Sequence, residues 1–410
     1  MVICDEAAQC VEVSTLIPLR HGAVQCVMVG DHKQLSATTF SKAAAQKGFA
    51  ISLFERLQTS MDEDKSQGKH VDGAVMLNTQ YRMLPDICRF PSITFYRNEL
   101  KDGSNVKAPF YAPSYLSSGS EVDSDSKSDS GVYLKPLLFF DLLESKECLV
   151  SSSSSYSNTQ EALLCVNLVQ QIISESQRMQ YKVGSIGIIT PYQEQLTELR
   201  SCFRQYKGGH QSSSSATTSS LSSLDTLEDG EIQNDDSPVA TIRTDFSEYD
   251  IEMNTVDAFQ GQEKDVIIFS CVRANSKGNI GFLSDRRRMN VALTRARFGL
   301  YVIGHSDTLR QNHIWNSFIL HAAEHNSVVP VRSATDNLRR QCTTRNGKFL
   351  ASHTLSNTER DRKNDSDGTK KRVREAVGEE GETGNHGQGE KSMSPALKKC
   401  AGSICRDHSS

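Results

Sequence analysis

Short runs of β-branched and aliphatic residues alternate along this chain with stretches of helical periodicity, and that alternation limits the fold more than any single motif. Residues 24–29 form an apolar run that stops at Gly30-Asp31. Residues 137–141, 186–189, 266–272 and 300–303 are further runs of the kind buried on both faces of a parallel sheet. Between them, residues 159–175 place Ala162, Val166, Val169 and Ile173 on one helical face, and residues 193–203 follow Pro191 as another helix. Residues 285–297 are read as helical too. Ser52-Leu53-Phe54-Glu55 has the form of a capping box that opens a helix through Leu57, and the polar residues 59–73 read as a linker. Strands alternating with helices imply a doubly wound α/β sheet with ligands at the carboxyl ends of its strands.

Three serine-rich segments interrupt the pattern: about 117–131, 151–155 and about 208–238. Each lacks the apolar content to pack, so disordered surface inserts are expected, and the polar tail 331–410 is read the same way. That tail carries 16 Lys/Arg against 11 Asp/Glu, whereas residues 1–330 carry 30 against 39. A nucleic-acid groove on the body would therefore be a local basic patch. The 11 cysteines are scattered, with only Cys400 and Cys405 close together, which fits a reducing compartment. Lys370-Lys371-Arg372-Val373-Arg374 has the character of a nuclear import signal, so the nucleus is expected, with the cytoplasm as the alternative. No apolar run approaches the ~18 residues of a membrane span, and no membrane association is expected.

Five blocks suit a nucleotide triphosphate, and a sixth suits a nucleic-acid backbone. Val2-Ile3-Cys4-Asp5-Glu6-Ala7-Ala8-Gln9 runs an apolar strand into two carboxylates. One carboxylate can hold Mg²⁺ while the next orients and deprotonates an attacking water, although a helix N-terminus that favours acids explains the pair equally well. Val29-Gly30-Asp31-His32-Lys33-Gln34-Leu35 puts the Gln34 amide just past a second strand, where it can bridge a phosphate and a water. Leu77-Asn78-Thr79-Gln80-Tyr81-Arg82-Met83 and Met289-Asn290-Val291-Ala292-Leu293-Thr294-Arg295-Ala296-Arg297 supply two widely separated arginines, whose planar forks suit phosphate oxygens. In Asn254-Thr255-Val256-Asp257-Ala258-Phe259-Gln260-Gly261-Gln262-Glu263, Gly261 allows close backbone approach to a phosphate. Ile189-Thr190-Pro191-Tyr192-Gln193-Glu194-Gln195 puts hydroxyl and amide groups at a strand end, as a nucleic-acid backbone contact or a plain strand-to-helix turn. Taken singly, each feature has an ordinary structural explanation. No G-x-x-x-x-G-K-[ST] loop occurs in the 410 residues.

In combination these blocks resemble the Upf-like branch of superfamily 1 helicases, most of all its senataxin-like members, over roughly residues 1–325. Phe90-Pro91-Ser92, Phe95-Tyr96, Ser270-Cys271-Val272-Arg273-Ala274-Asn275 and Gly281-Phe282-Leu283 are similar to that family as well. The resemblance implies tandem RecA-like parallel-sheet domains with ATP in the cleft between them. Residues 1–73 would be the C-terminal part of a first domain and residues 74–330 the second. By the same resemblance Asp5 is the Mg²⁺ ligand, Glu6 the catalytic base and Gln34 the γ-phosphate sensor. Arg82 and Arg295 match arginine fingers, and Tyr81, Gly261 and Glu263 match nucleotide-contacting positions. Thr190, Pro191, Gln195 and Thr255 fall in segments that touch nucleic acid.

The activity implied is ATP-driven 5′ to 3′ translocation on single-stranded RNA or DNA, by a monomer, with protein partners at the serine-rich inserts and tail. The family's phosphate loop is absent from this sequence, and His32 and Ser36 stand where relatives usually carry proline. A truncated gene model or fragment is therefore expected, with little ATP hydrolysis from these residues alone. The alternative is a non-catalytic helicase remnant that binds nucleic acid or a protein partner.

Overall fold

The computed structural model describes residues 1–116, 134–209 and 249–334. The insert expected near 117–131, residues 210–238 of the next one, the Lys370–Arg374 cluster and the Cys400/Cys405 pair lie outside the described residues.

The chain opens with β1 (Val2–Cys4), α1 (Glu12–Leu19), β2 (Cys26–Met28), α2 (Lys42–Gln46) and α3 (Leu53–Ser66). β1 and β2 pair in parallel, Val2 with Cys26 and Cys4 with Met28, as a sheet of their own. The N-cap half of the box at α3 forms: Ser52 Oγ accepts from Glu55 N at 3.0 Å, while the Glu55 carboxylate pairs with Arg287. α3 nevertheless runs well beyond Leu57, through most of the expected linker. Its Glu, Gln, Met and Lys residues are good helix formers, and Gln58 Nε2 donates to Asp62 Oδ1 one turn on.

β3 (Thr79–Gln80), α4 (Pro85–Phe95) and β4 (Lys101–Asp102) follow, then β5 (Leu137–Leu142), β6 (Cys148–Val150), β7 (Ser155–Ser157), α5 (Thr159–Arg178), β8 (Ser185–Thr190) and α6 (Gln193–Gly209). The chain continues through β9 (Asp250–Thr255), β10 (Lys264–Ser270), α7 (Arg286–Leu293), β11 (Ala296–Gly304), α8 (Ser306–Leu309), α9 (His313–Glu324) and β12 (Val328–Val331). Six strands form one parallel sheet in the order β12-β5-β11-β10-β8-β9. β10 lies in the middle, where Val266, Ile267 and Ile268 are fully buried, as expected of a strand covered on both faces. Pro330 sits on the edge strand β12, where its missing N–H costs no ladder bond.

α5 starts at Asn158, whose Oδ1 accepts from Glu161 N, and buries Leu164, Leu168 and Ile172 completely. Each of those side chains contributes about 1.5–3 kcal/mol by leaving water. Elsewhere in the core Trp315 packs edge-on to Phe318 and donates Nε1–H to Leu283 O at 2.9 Å, so its one polar atom is satisfied.

Three further expectations need correction. Ser151–Ser155 is no loose insert, because residues 151–154 turn the β6–β7 hairpin and Ser155 opens its second strand, pairing with Val150. The 285–297 helix stops at Leu293: Thr294 Oγ1 returns to Asn290 O, and the chain then joins β10 and β5 as β11. A run from Phe298 to Ile303 gains more from that central ladder than from further helix. The fold also continues past Pro330. Val331 and Ala334 are fully buried, and Ala334 N donates to Gln160 Oε1.

Candidate active site

β1 delivers Asp5 and Glu6 at its carboxyl end. Glu6 takes a left-handed conformation, φ 48°, and its N–H donates to Asp5 Oδ1 at 2.9 Å. Gln9 Nε2 holds Glu6 Oε2 at 3.1 Å, and both carboxylates remain exposed. The end of β2 packs closely behind this turn: Ala7 N donates to Val29 O, and a Cβ on Gly30 would fall 3.0 Å from Ala8 N and 3.1 Å from Ala7 N. Glycine is needed there for room. Beyond it Asp31 organises the loop, accepting from Lys33 N through Oδ1 and from Gln34 Nε2 through Oδ2.

Arg82 sits in a turn built by Gln80. The Gln80 Oε1 accepts from Arg82 N at 3.0 Å and Met83 N at 2.8 Å, while its Nε2 donates to Met83 O and to Asp102 Oδ1 on β4. The Arg82 guanidinium pairs with Glu263 Oε2 at 2.6 Å and donates to Thr294 O at 3.0 Å. Tyr81 lies beside it with an exposed ring. Gly261, just before Glu263, has φ +80° with open space around it, a conformation that favours glycine.

Arg295 is the buried member. Its Nε donates to Val291 O, and its Nη2 to Thr294 Oγ1 at 2.8 Å and, more weakly, to Gln34 Oε1 at 3.4 Å. Burial pushes the guanidinium down to about 10, and the nearby Arg82 charge adds to that; Tyr96, Asp31 and Glu6 oppose it. It therefore stays cationic at neutral pH. The same groups bring residues from the first 35 positions up against residues of the six-stranded unit. Tyr96 bridges the two, donating to Asp31 Oδ2 at 2.6 Å while accepting from Asn290 Nδ2 at 2.8 Å. Asn290 Nδ2 also reaches Lys33 O, and Arg287 pairs with Glu55.

At the carboxyl end of the large sheet a second polar network is fully buried. Gln195 Oε1 accepts from Asn158 N at 2.7 Å, and its Nε2 donates to Asn158 O and Ser270 Oγ. Glu161 Oε2 accepts from Ser270 Oγ at 2.6 Å and Val272 N at 2.8 Å. Burial pushes the Glu161 carboxyl up to about 8, partly offset by these donors. Val272 has φ 71°, and Arg273 N donates to Cys271 O across it: a strained tight turn for a β-branched residue. Arg273 then leaves the turn to pair with Glu147 at 2.8 Å and to stack over the Tyr156 ring, 4.0 Å from its centroid.

Family models described as AAA domain match residues 1–42 and residues 49–307, the second covering more than half of the chain. The chain belongs to the Upf1-like helicase family. It is 34% identical to Helicase SEN1 of Saccharomyces cerevisiae over 78% of its length, and 37% identical to Helicase sen1 of Schizosaccharomyces pombe over 78%. Identity to ATP-dependent helicase NAM7 of Saccharomyces cerevisiae is 34% over 82% of the chain. The chain spans 12%, 15% and 28% of those three relatives' own lengths.

Within this Upf1-like chain, Glu6, Gln34, Arg82, Glu263 and Arg295 come together through direct bonds or close charges. Asp5 adjoins Glu6, Tyr81 adjoins Arg82, and Gly261 adjoins Glu263 through Gln262. The strand-contacting residues behave differently. Thr190 and Gln195 are fully buried, and every polar position of Gln195 is engaged within the fold. Both sit beneath the surface they were expected to form, because Gln195 ties α5 to α6 and β10. Pro191 and Thr255 are partly exposed, with Thr255 Oγ1 accepting from Ala258 N. Asp31, Tyr96 and Asn290 emerge only from the structure. Asp31 and Asn290 lie inside the chemistry-bearing blocks and Tyr96 in the Phe95-Tyr96 segment, but nothing in the sequence pairs residues 65 and 194 positions apart.

Proposed function

We propose that this chain is the C-terminal part of an ATP-dependent helicase that couples hydrolysis to 5′ to 3′ movement along single-stranded RNA or DNA. In this reading residues 1–73 complete a first RecA-like domain and residues 74–330 form the second. The carrying observation is the contact of Arg295 with Gln34, beside the charges of Glu6 and Arg82.

The donor set fits a magnesium–nucleoside triphosphate. Two exposed carboxylates stand at the end of β1, and two guanidiniums enter from the other unit. Asp5 would hold Mg²⁺, which when bound neutralises phosphate charge. Glu6, with Oε2 steadied by Gln9, is the group to accept the proton of an attacking water. Gln34 orients that water, its amide nitrogen fixed by Asp31 and its oxygen turned to Arg295. Arg82 and Arg295 place positive charge where the terminal phosphoryl gathers negative charge, worth ~10³–10⁵ in rate. That corresponds to about 4–7 kcal/mol of barrier. Glu263 holds Arg82 at the nucleotide edge, Gly261 leaves room for close backbone approach, and the exposed Tyr81 ring lies beside Arg82.

Pro191 and Thr255 are assigned to the strand path, with Thr190 and Gln195 holding the turn from behind. Nuclear residence is supported by Lys370-Lys371-Arg372-Val373-Arg374. Filter binding of labelled single strands across a salt series tests the nucleic-acid half of this reading. Affinity should fall linearly on a log–log plot, whereas a flat response would deny a phosphate-tracking groove.

A further inference from the structure

We propose that His321 and Glu324 on the last turn of α9, with His325 capping it, form a binding site for a divalent transition-metal ion such as Zn²⁺. His321-Ala322-Ala323-Glu324-His325 puts two imidazoles at i and i+4 and a carboxylate at i+3 on one helix face. One ligand atom from each lies within 4.8 Å of the others. Small side-chain rotations close that span around an ion whose ligand bonds are about 2.0–2.2 Å. The rings stand 4.3 Å apart between centroids, and His321 is braced against Phe90 of α4, 5.6 Å away.

The tautomer is already the one a metal needs. His325 Nδ1 bonds His321 O at 2.8 Å, so Nδ1 carries the proton and Nε2 keeps its lone pair. A ligating histidine tied to a carbonyl through its other nitrogen is the usual arrangement around bound metals. Histidines at a helix C-terminus otherwise serve as cationic partners of the helix dipole. His325 does not, because Arg89 Nη1 lies 2.7 Å from Nε2, and a guanidinium can only donate to a neutral ring. Arg89 is exposed and free to swing aside, so it acts as a removable competitor for the metal position. Lys135, which donates to Asn326 O at 2.8 Å, adds a further positive charge nearby and sets the affinity low. The site uses none of the residues assigned to nucleotide or strand.

Calorimetric titration of the reduced 410-residue chain with ZnCl₂ tests the site. The 11 cysteines also take zinc, so the informative quantity is the binding lost on substitution. His325→Ala, an exposed position, should lose one zinc ion or weaken its binding at least about 10-fold, with an unchanged circular dichroism spectrum. His321→Ala should do the same. Arg89→Ala should tighten binding, an effect that thiol sites elsewhere would not produce. Identical isotherms for the wild type and His325→Ala, no zinc uptake by the wild type, or unchanged affinity in Arg89→Ala would each overturn the assignment. If His321→Ala unfolds through its lost contact with Phe90, His325→Ala and Arg89→Ala still decide.

Discussion

Tyr96 donates its phenolic proton to Asp31 Oδ2 across 2.6 Å, joining the end of α4 to the loop that carries Gln34. Burial and the Asp31 charge both push the phenol's proton affinity upward, so it remains a donor at all working pH values. Tyr96→Phe removes that bond and also the acceptor for Asn290 Nδ2. Because the acceptor is charged, the expected loss is about 1.5–3 kcal/mol. Urea denaturation should show it as a lower midpoint with an unchanged slope. A variant as stable as the wild type would mean the latch carries no weight.

Glu161 gives the fold a pH dependence. Its folded carboxyl titrates at about 8, whereas an unfolded one titrates near ~4.3. Between those values the folded state binds the extra proton, so this group's contribution is full below the lower value and is lost as pH rises through about 8. Glu161→Gln mimics the protonated form and should flatten the stability profile between these limits, gaining most over the wild type at the alkaline end. Denaturation midpoints measured across that range for both proteins check it; parallel profiles would show that the carboxyl does not titrate there.

Two glycines should respond differently to alanine. At Gly30 the new Cβ meets backbone of the Asp5-Glu6 turn at 3.0–3.1 Å, and that backbone cannot rotate away. Overpacking of this kind costs about 1–3 kcal/mol and moves Glu6. At Gly261 there is no clash, only a φ of +80°, and the cost is backbone strain of about 1 kcal/mol. Thermal melts of both variants should place Gly30→Ala below Gly261→Ala; the reverse order would contradict the packing described.

Much of the fold was legible because strands buried on both faces must be apolar throughout. Residues 186–189 and 300–303 could hardly be anything else, and Ser52 with Glu55 marked a helix start that its hydrogen bond bears out. The misreadings have one source, the action of distant partners on locally ambiguous residues. Residues 294–297 continue a helical pattern, yet β10 and β5 draw Ala296 onward into a strand. The serines at 151–155 look unstructured until Cys148 pairs with Ser157. At the candidate site the carboxylates and arginines were visible as residue types. Gln195 was misleading, because an amide at a strand end serves equally well as a surface contact or as the buried tie between Asn158 and Ser270.

In the proposed function Glu6 and Gln34 meet Arg82 and Arg295 around the terminal phosphate of the nucleotide. The most direct test is Arg295→Ala in a protein that joins this chain to a G-x-x-x-x-G-K-[ST] loop, with strand-stimulated ATP turnover and nucleotide affinity measured side by side. Turnover should fall by ~10³ or more while affinity stays nearly unchanged. Unchanged turnover, or lost affinity with turnover intact, would show that Arg295 does not act on the terminal phosphate.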